Sequence, residues 1–315
     1  KTPDGKYRWR RDVSIDQVAG VMFGASLAYA LVADHADKAL LADDMRAMVD
    51  YILENNLKII DITGQPTRWG KYDPEMVFEG EALPAVLWLQ ALKVVHQLTG
   101  DAKYDALYRK WAVDEGYAKC SLEARFMGDP NERHNINHSD DVLLFLGWER
   151  LLALETDPAL RDLYLQGFRR MWEGDGNYPG VKPEGNPLYA TMAAKYLGDD
   201  SGMPDALNTL RWFPLDVKMN LHTVQAFARK YHFTYQATPQ SPEPAPGAPL
   251  PIDRRIKAWS MWVQDCYVGG LDGRFKWYKF PEGSPRTVDY HMEFNGHDYL
   301  LAYWFGRYSG FVPED

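Results

Sequence analysis

The chain repeats one supersecondary unit. A long apolar helical stretch ends at a short polar break, and a second, more amphipathic stretch follows. The breaks read "VADHADKALL", "LTGDAKYDALY", "LETDPALRDLY" and "LGDDSGMPDAL", each with Asp and most with Gly or Pro beside it. Asp caps a helix because its carboxylate accepts from amides that have no intrahelical partner, while Gly and Pro end helices by conformation. The pattern predicts helix pairs over 15–34 with 38–56, 81–99 with 102–113, 140–155 with 158–173, and 186–198 with 203–212. A fifth pair is read over 216–231 with 253–265, and a last helix over 297–307. The first member of each pair is apolar on most sides ("LPAVLWLQALKVV", "VLLFLGWERLLAL"), as a buried helix must be. The second mixes charge with aromatics ("LRDLYLQGFRRMW"), as on a surface helix.

Inner and outer helices that alternate five or six times describe an all-α (α/α)₆ toroid, complete or incomplete, as one domain over 1–315. An open helical solenoid shares that period, but its loops are short and alike. Here the connections from an outer helix to the next inner one are long and chemically rich: 57–80, 114–139, 174–185 and 266–295. Long loops in a compact domain usually carry function. The proline-rich 236–251 ("QATPQSPEPAPGAPLP") reads as a surface excursion rather than a domain linker. Short β pieces are expected at "LKIIDIT" and "GRFKWYKF".

Composition narrows the partners. With 315 residues, 46% of them hydrophobic, the chain can bury a large core. A net charge of −9 argues against a nucleic-acid partner, which would be met by a basic patch. The apolar run "VAGVMFGASLAYALVA" falls short of the roughly 20 residues that cross a bilayer, so no membrane span is expected. Two cysteines, Cys120 and Cys266, are too few for a disulfide framework or a zinc ribbon. They either pair or sit as small hydrophobes. The chain starts at Lys1; had a signal peptide preceded it, the protein would be periplasmic or secreted. An aromatic share of 14% suits flat, half-polar ligands such as sugars as well as a core.

The openings of the inner helices carry the chemistry: "RRDVSIDQVAG", "VFEGEALP", "NINHSDDVL", "PEGNPLYA" and "EFNGHDYLL". In a toroid they would converge on one mouth. Ser14, Ser139, Asn186 and Asn295 are good N-caps, and acidic residues suit the positive end of a helix. Capping accounts for one acceptor per helix. It leaves unexplained His134, Asn137 and His138 beside Asp140 and Asp141, and Arg10, Arg11 and Asp12 beside Ser14 and Asp16. In "DITGQPTRWGKYDPE", Trp69 and Arg68 suit a sugar ring bearing a carboxylate, one by stacking and the other by a bidentate bond. Arg10, Arg11, Arg68, Arg125 and Arg133 lie in or near these loops and hint at an anionic sugar. Trp277 in "YVGGLDGRFKWYKF" offers another wall.

Two reactions fit. Glycoside hydrolysis needs a carboxylic acid that protonates the leaving oxygen and a carboxylate that activates water or attacks carbon. Asp16 and Asp140 lead for these roles. Asp12, Arg68, Trp69, Asp73, Glu79, His134, Asp141, Trp277 and His297 then bind substrate. Asp140 and Asp141 diverge by about 100° on a helix, so they are not a pair with each other. The alternative is β-elimination on a uronate, with Asn137 on the carboxyl group and His138 as base. The run Asn137-His138-Ser139 resembles the Asn-His motif of toroid polysaccharide lyases of the alginate and heparinase type. The wider pattern resembles carbohydrate-active toroid enzymes in general: hydrolases, lyases and epimerases. That resemblance implies an oligo- or polysaccharide substrate. A third class is a toroid that binds a glycan or protein without turnover. No phosphate-binding glycine loop, His-Glu-x-x-His or nucleophile elbow is present, and no cofactor or metal is expected.

Overall fold

A computed structural model describes residues 6, 12–79, 82–124, 138–175, 180–182, 185–211, 216–217, 292–293 and 297–314. The described chain is predominantly helical, with two short two-stranded antiparallel sheets. In order, the elements are α1 (Ile15–Leu31), α2 (His35–Glu54), β1 (Lys58–Ile60), β2 (Pro66–Lys71), α3 (Pro74–Glu79), α4 (Leu83–Thr99) and α5 (Ala102–Arg109). Next come a π turn (Lys110–Asp114) that prolongs α5 and a 3₁₀ turn (Tyr117–Leu122). Then follow α6 (His138–Leu154), α7 (Pro158–Glu173), α8 (Pro187–Leu197), α9 (Met203–Arg211), β3 (Asp216–Val217), β4 (Met292–Glu293) and α10 (His297–Tyr308). No described helix is long and apolar enough to cross a membrane.

The helix pairs fall where the sequence pattern puts them, and the breaks act as read. Asp34 accepts from Asp37 N at 2.9 Å at the head of α2, and Asp101 accepts from Lys103 N at 2.8 Å at the head of α5. Asp157 accepts from Ala159 N at 2.9 Å ahead of α7. Gly100 ends α4 in the left-handed region at φ 66°, which costs a glycine nothing. Pro158 stands at the first position of the helix read over 158–173. There its missing amide has no helical partner to lose. Ser139 departs from its reading: α6 already begins at His138, so Ser139 lies inside the helix it was expected to cap. The fifth pair was read from residue 216, but Asp216–Val217 is a strand paired with Met292–Glu293. The rest of that pair, the proline-rich stretch, Asn295, Cys266 and "GRFKWYKF" lie outside the described residues.

The chain divides into two compact units: the described parts of Lys1–Phe126 with Leu143–Phe168, and of Met127–Val142 with Arg169–Asp315. The first is built on α4. Ala85, Val86, Leu87, Trp88, Leu89, Ala91, Leu92, Val94 and Val95 have essentially no exposure, so the helix is covered on all sides. Each large apolar side chain so buried contributes about 1.5–3 kcal/mol. Helices α1, α2 and α5 and the 3₁₀ turn pack on it. Gln90 sits inside this core and donates from Nε2 to Ala19 O and Leu146 O, both at 3.3 Å. By contrast, α1 is buried along one face only, and Val21 and Leu31 are exposed.

Two polar networks lie in the same core. Glu155 accepts from the Tyr108 hydroxyl and lies 3.2 Å from Lys93 Nζ, and Tyr108 and Tyr164 share a hydroxyl contact of 2.6 Å. Arg150 pairs with Glu149 and donates to Ser26 Oγ at 3.1 Å, and Ser26 donates to Gln97 Oε1. Buried charges need such partners. Close packing also has a backbone form: a Cβ on Gly167 would stand 2.0 Å from Ser121 O.

In the second unit α9 and α10 pack on α8, whose residues Pro187–Ala194 are all buried. Asn186 caps α8, accepting from Leu188 N at 3.0 Å. Trp172 Nε1 and Lys182 Nζ both donate to Asp199 Oδ2 at 2.8 Å, which holds the Asp199 carboxyl well below the usual range.

Candidate functional site

The site is assembled in the first unit, where the hairpin of β1 and β2 is laid across the start of α1. Asp12 adopts φ 60°, a left-handed conformation that Asp tolerates better than most residues. Its Oδ1 accepts from Arg68 N at 2.8 Å. One residue on, Thr67 Oγ1 donates to Val13 O at 2.7 Å. Gly70 makes this approach feasible, since a Cβ there would stand 2.1 Å from Thr67 Oγ1 and 3.1 Å from Val13 O. Ser14 then caps α1, its backbone amide donating to Gln17 Oε1 at 2.9 Å.

These contacts leave Asp16 in the first turn of α1, half-buried. Burial drives its carboxyl above the usual carboxylate range, against the smaller opposing pull of backbone and Ser14 hydrogen bonds. Beyond β2 the chain turns inward. Tyr72 is fully buried, donates from N to Leu57 O at 2.9 Å, and stacks obliquely on Trp88 with ring centres 5.4 Å apart. The Tyr117 hydroxyl donates to Tyr72 O at 2.7 Å. The Tyr72 hydroxyl itself has no hydrogen-bond partner. Burial, and then the charge of Asp16, make it harder to ionise.

Asp73 follows, also buried. Its Oδ1 accepts from Met76 N at 3.3 Å and so caps α3. Its Oδ2 has no hydrogen bond, although Lys58 Nζ stands 3.8 Å away. That distance is an ion pair without a hydrogen bond. On the outer face of β2, Arg68 and Trp69 are exposed, with the guanidinium 4.5 Å from the centre of the indole ring. The same unit thus holds a carboxyl raised by burial, a second carboxylate with an unused acceptor, a buried hydroxyl with an unused donor, and an exposed aromatic–cation pair.

The other expected site residues are distributed as follows. Asp140 and Asp141 are buried in the first turn of α6, within the second unit. His138 is the first residue of α6, Glu79 the last of α3, and His297 the first of α10. His134, Asn137 and Trp277 lie outside the described residues. Asp12 is hydrogen-bonded to Arg68 and Arg68 lies against Trp69, while Asp16 and Asp73 belong to the same unit. Tyr72, Lys58 and Tyr117 join them without having been singled out. For Tyr72 a signal existed: along β2 and just past it, Thr67, Gly70 and Tyr72 turn inward while Arg68 and Trp69 face out.

Among the described residues, no group of three or more His, Cys, Asp and Glu side chains gathers to hold a metal ion. Cys120 is a free thiol, half-buried, and burial pushes it up to about 11, away from a reactive thiolate. Comparison with family models, curated proteins and solved structures returns no match.

Proposed function

We propose that this chain is a carbohydrate-active enzyme that hydrolyses glycosidic bonds, with Asp16 as its general acid. The observation that carries the proposal is the Asp16 carboxyl: half-buried at a helix start, raised by desolvation, and in the same unit as a second acid with a free acceptor. A glycosidase acid must be protonated when substrate binds, and desolvation is how a carboxyl achieves this near neutral pH. Asp73 is the second carboxylate in this reading. Its Oδ2, buried and without a hydrogen bond, is the acceptor this reading gives to the attacking water. Arg68 and Trp69 form the sugar platform, the indole stacking on a ring face and the guanidinium holding an anionic substituent.

The scaffold is read as an (α/α) ring in which α1–α2, α4–α5, α6–α7 and α8–α9 are successive members. The repeated Asp-capped turn, the covered α4 and the buried run Pro187–Ala194 of α8 support that reading. A crystal structure with the pairs in an open row would overturn it. Fold analogy alone would not give the chemistry, which rests on the residues.

The test is incubation with neutral and uronate-containing oligosaccharides. Release of reducing ends, without new absorbance near about 230–240 nm from an unsaturated product, is expected. Asp16→Asn and Asp73→Asn should each lower turnover by about a hundredfold or more. New absorbance would mean elimination instead. Binding with no turnover, unaffected by either substitution, would mean a non-catalytic glycan-binding protein.

A further inference from the structure

An acid that delivers its proton becomes a carboxylate in the same half-desolvated place. Its backbone and Ser14 hydrogen bonds supply part of what the missing water would, and a further donor would complete it. Near Asp16 the candidate is internal. β2 is stitched to residues 12–13 by the Arg68 N–Asp12 and Thr67–Val13 bonds and so packs against the start of α1, and just past its end the Tyr72 hydroxyl feels the charge of Asp16. Tyr72 has no exposure, its ring is fixed on Trp88, and its backbone is tied at both N and O. Its hydroxyl is nonetheless left without an acceptor. A buried hydroxyl without a partner is unfavourable and calls for an explanation in the resting protein.

We infer that the buried Tyr72 hydroxyl is the donor that meets the Asp16 carboxylate once Asp16 has given up its proton, making Tyr72 a positioning residue for the acid. The inference rests on the glycosidase reading for its role and on the hairpin geometry for its partners. The steps balance simply. The Asp16 proton passes to the glycosidic oxygen, which keeps the electron pair of the breaking C–O bond. The carboxylate so formed accepts the Tyr72 O–H, and no proton leaves Tyr72. The neighbouring charged groups are otherwise engaged: Asp12 by Arg68 N, Lys58 beside Asp73, Arg68 over Trp69, and Tyr117 on Tyr72 O. From α4 the facing group is Trp88, an uncharged indole.

The test is a site-resolved carboxyl titration of Asp16 by NMR in the full chain, with and without Tyr72→Phe, which needs no substrate. Loss of a donor to the charged form should raise the Asp16 midpoint by about one unit, a tenfold change. The alkaline limb of kcat/KM should move up with it, a change that a purely structural role would not produce. An unmoved or lowered midpoint overturns the inference, even if glycan hydrolysis is confirmed. A raised midpoint in a protein that cleaves no glycan upholds the pairing and removes the hydrolase reading instead. Should Tyr72→Phe not fold, the unaltered protein decides. The Tyr72 Cζ resonance should follow the Asp16 midpoint and become flat in Asp16→Asn; a resonance indifferent to Asp16 refutes the pairing.

Discussion

Replacing Lys93 by methionine should be among the most damaging single changes in the first unit. The lysine side chain is 6% exposed and its partner Glu155 is 0% exposed, so the substitution strands a carboxylate in the core. Breaking a buried pair from one side costs about 3–5 kcal/mol. Three donors remain to Glu155: the Tyr108 hydroxyl on Oε2, and Thr156 N and Asp157 N on Oε1, each at 2.7 Å. They hold the loss toward the lower end. The lysine also lies 4.1 Å from the Tyr108 ring centre, a contact methionine replaces only in part. A loss of about 3 kcal/mol corresponds to roughly 6–12 °C in Tm for a unit of this size. Urea titration followed by circular dichroism would measure it. Adding Glu155→Gln should recover part of the loss, because the stranded group is then neutral. A Lys93→Met protein within about 1 kcal/mol of the parent would refute the reasoning, and would mean that water or relaxation solvates Glu155.

Gly167→Ala should destabilise by about 1–3 kcal/mol, since its Cβ would meet Ser121 O at 2.0 Å and must push α7 off the 3₁₀ turn; an unchanged thermal midpoint would contradict that packing. At high pH, Tyr72, Tyr104, Tyr108, Tyr117 and Tyr164 act together. All five are raised above the ordinary phenol range, chiefly by burial. A raised folded value stabilises below the unfolded value, near about 10, and that stability is lost as pH rises past it. Urea midpoints measured on either side of about pH 10 should therefore fall steeply, and a flat profile would show these phenols to be solvated.

The helix pairs were legible because their signals are local. Apolar periodicity marked α1, α4, α6 and α8, and Asp34, Asp101 and Asp157 cap the helices after the breaks as their chemistry suggests. Short elements were harder. Helix α3 and strand β2 lie within what reads as one long loop, since six residues carry little periodicity. The site divided along the same line. Asp16 could be picked out as an acid at a helix start. Its partnership with Tyr72 depends on bonds such as Thr67–Val13, which span 54 residues and leave no local mark. The buried pair of Lys93 and Glu155 was equally hidden, each residue reading alone as a charge on an apolar helix.

The most direct test of the general-acid assignment compares aryl glycosides whose leaving groups need protonation with dinitrophenyl glycosides, which do not. In Asp16→Asn, kcat/KM for the unactivated glycosides should fall by about 10²–10⁴-fold while the dinitrophenyl glycosides are cleaved nearly as before. An equal loss on both kinds, or no loss on either, would contradict the account.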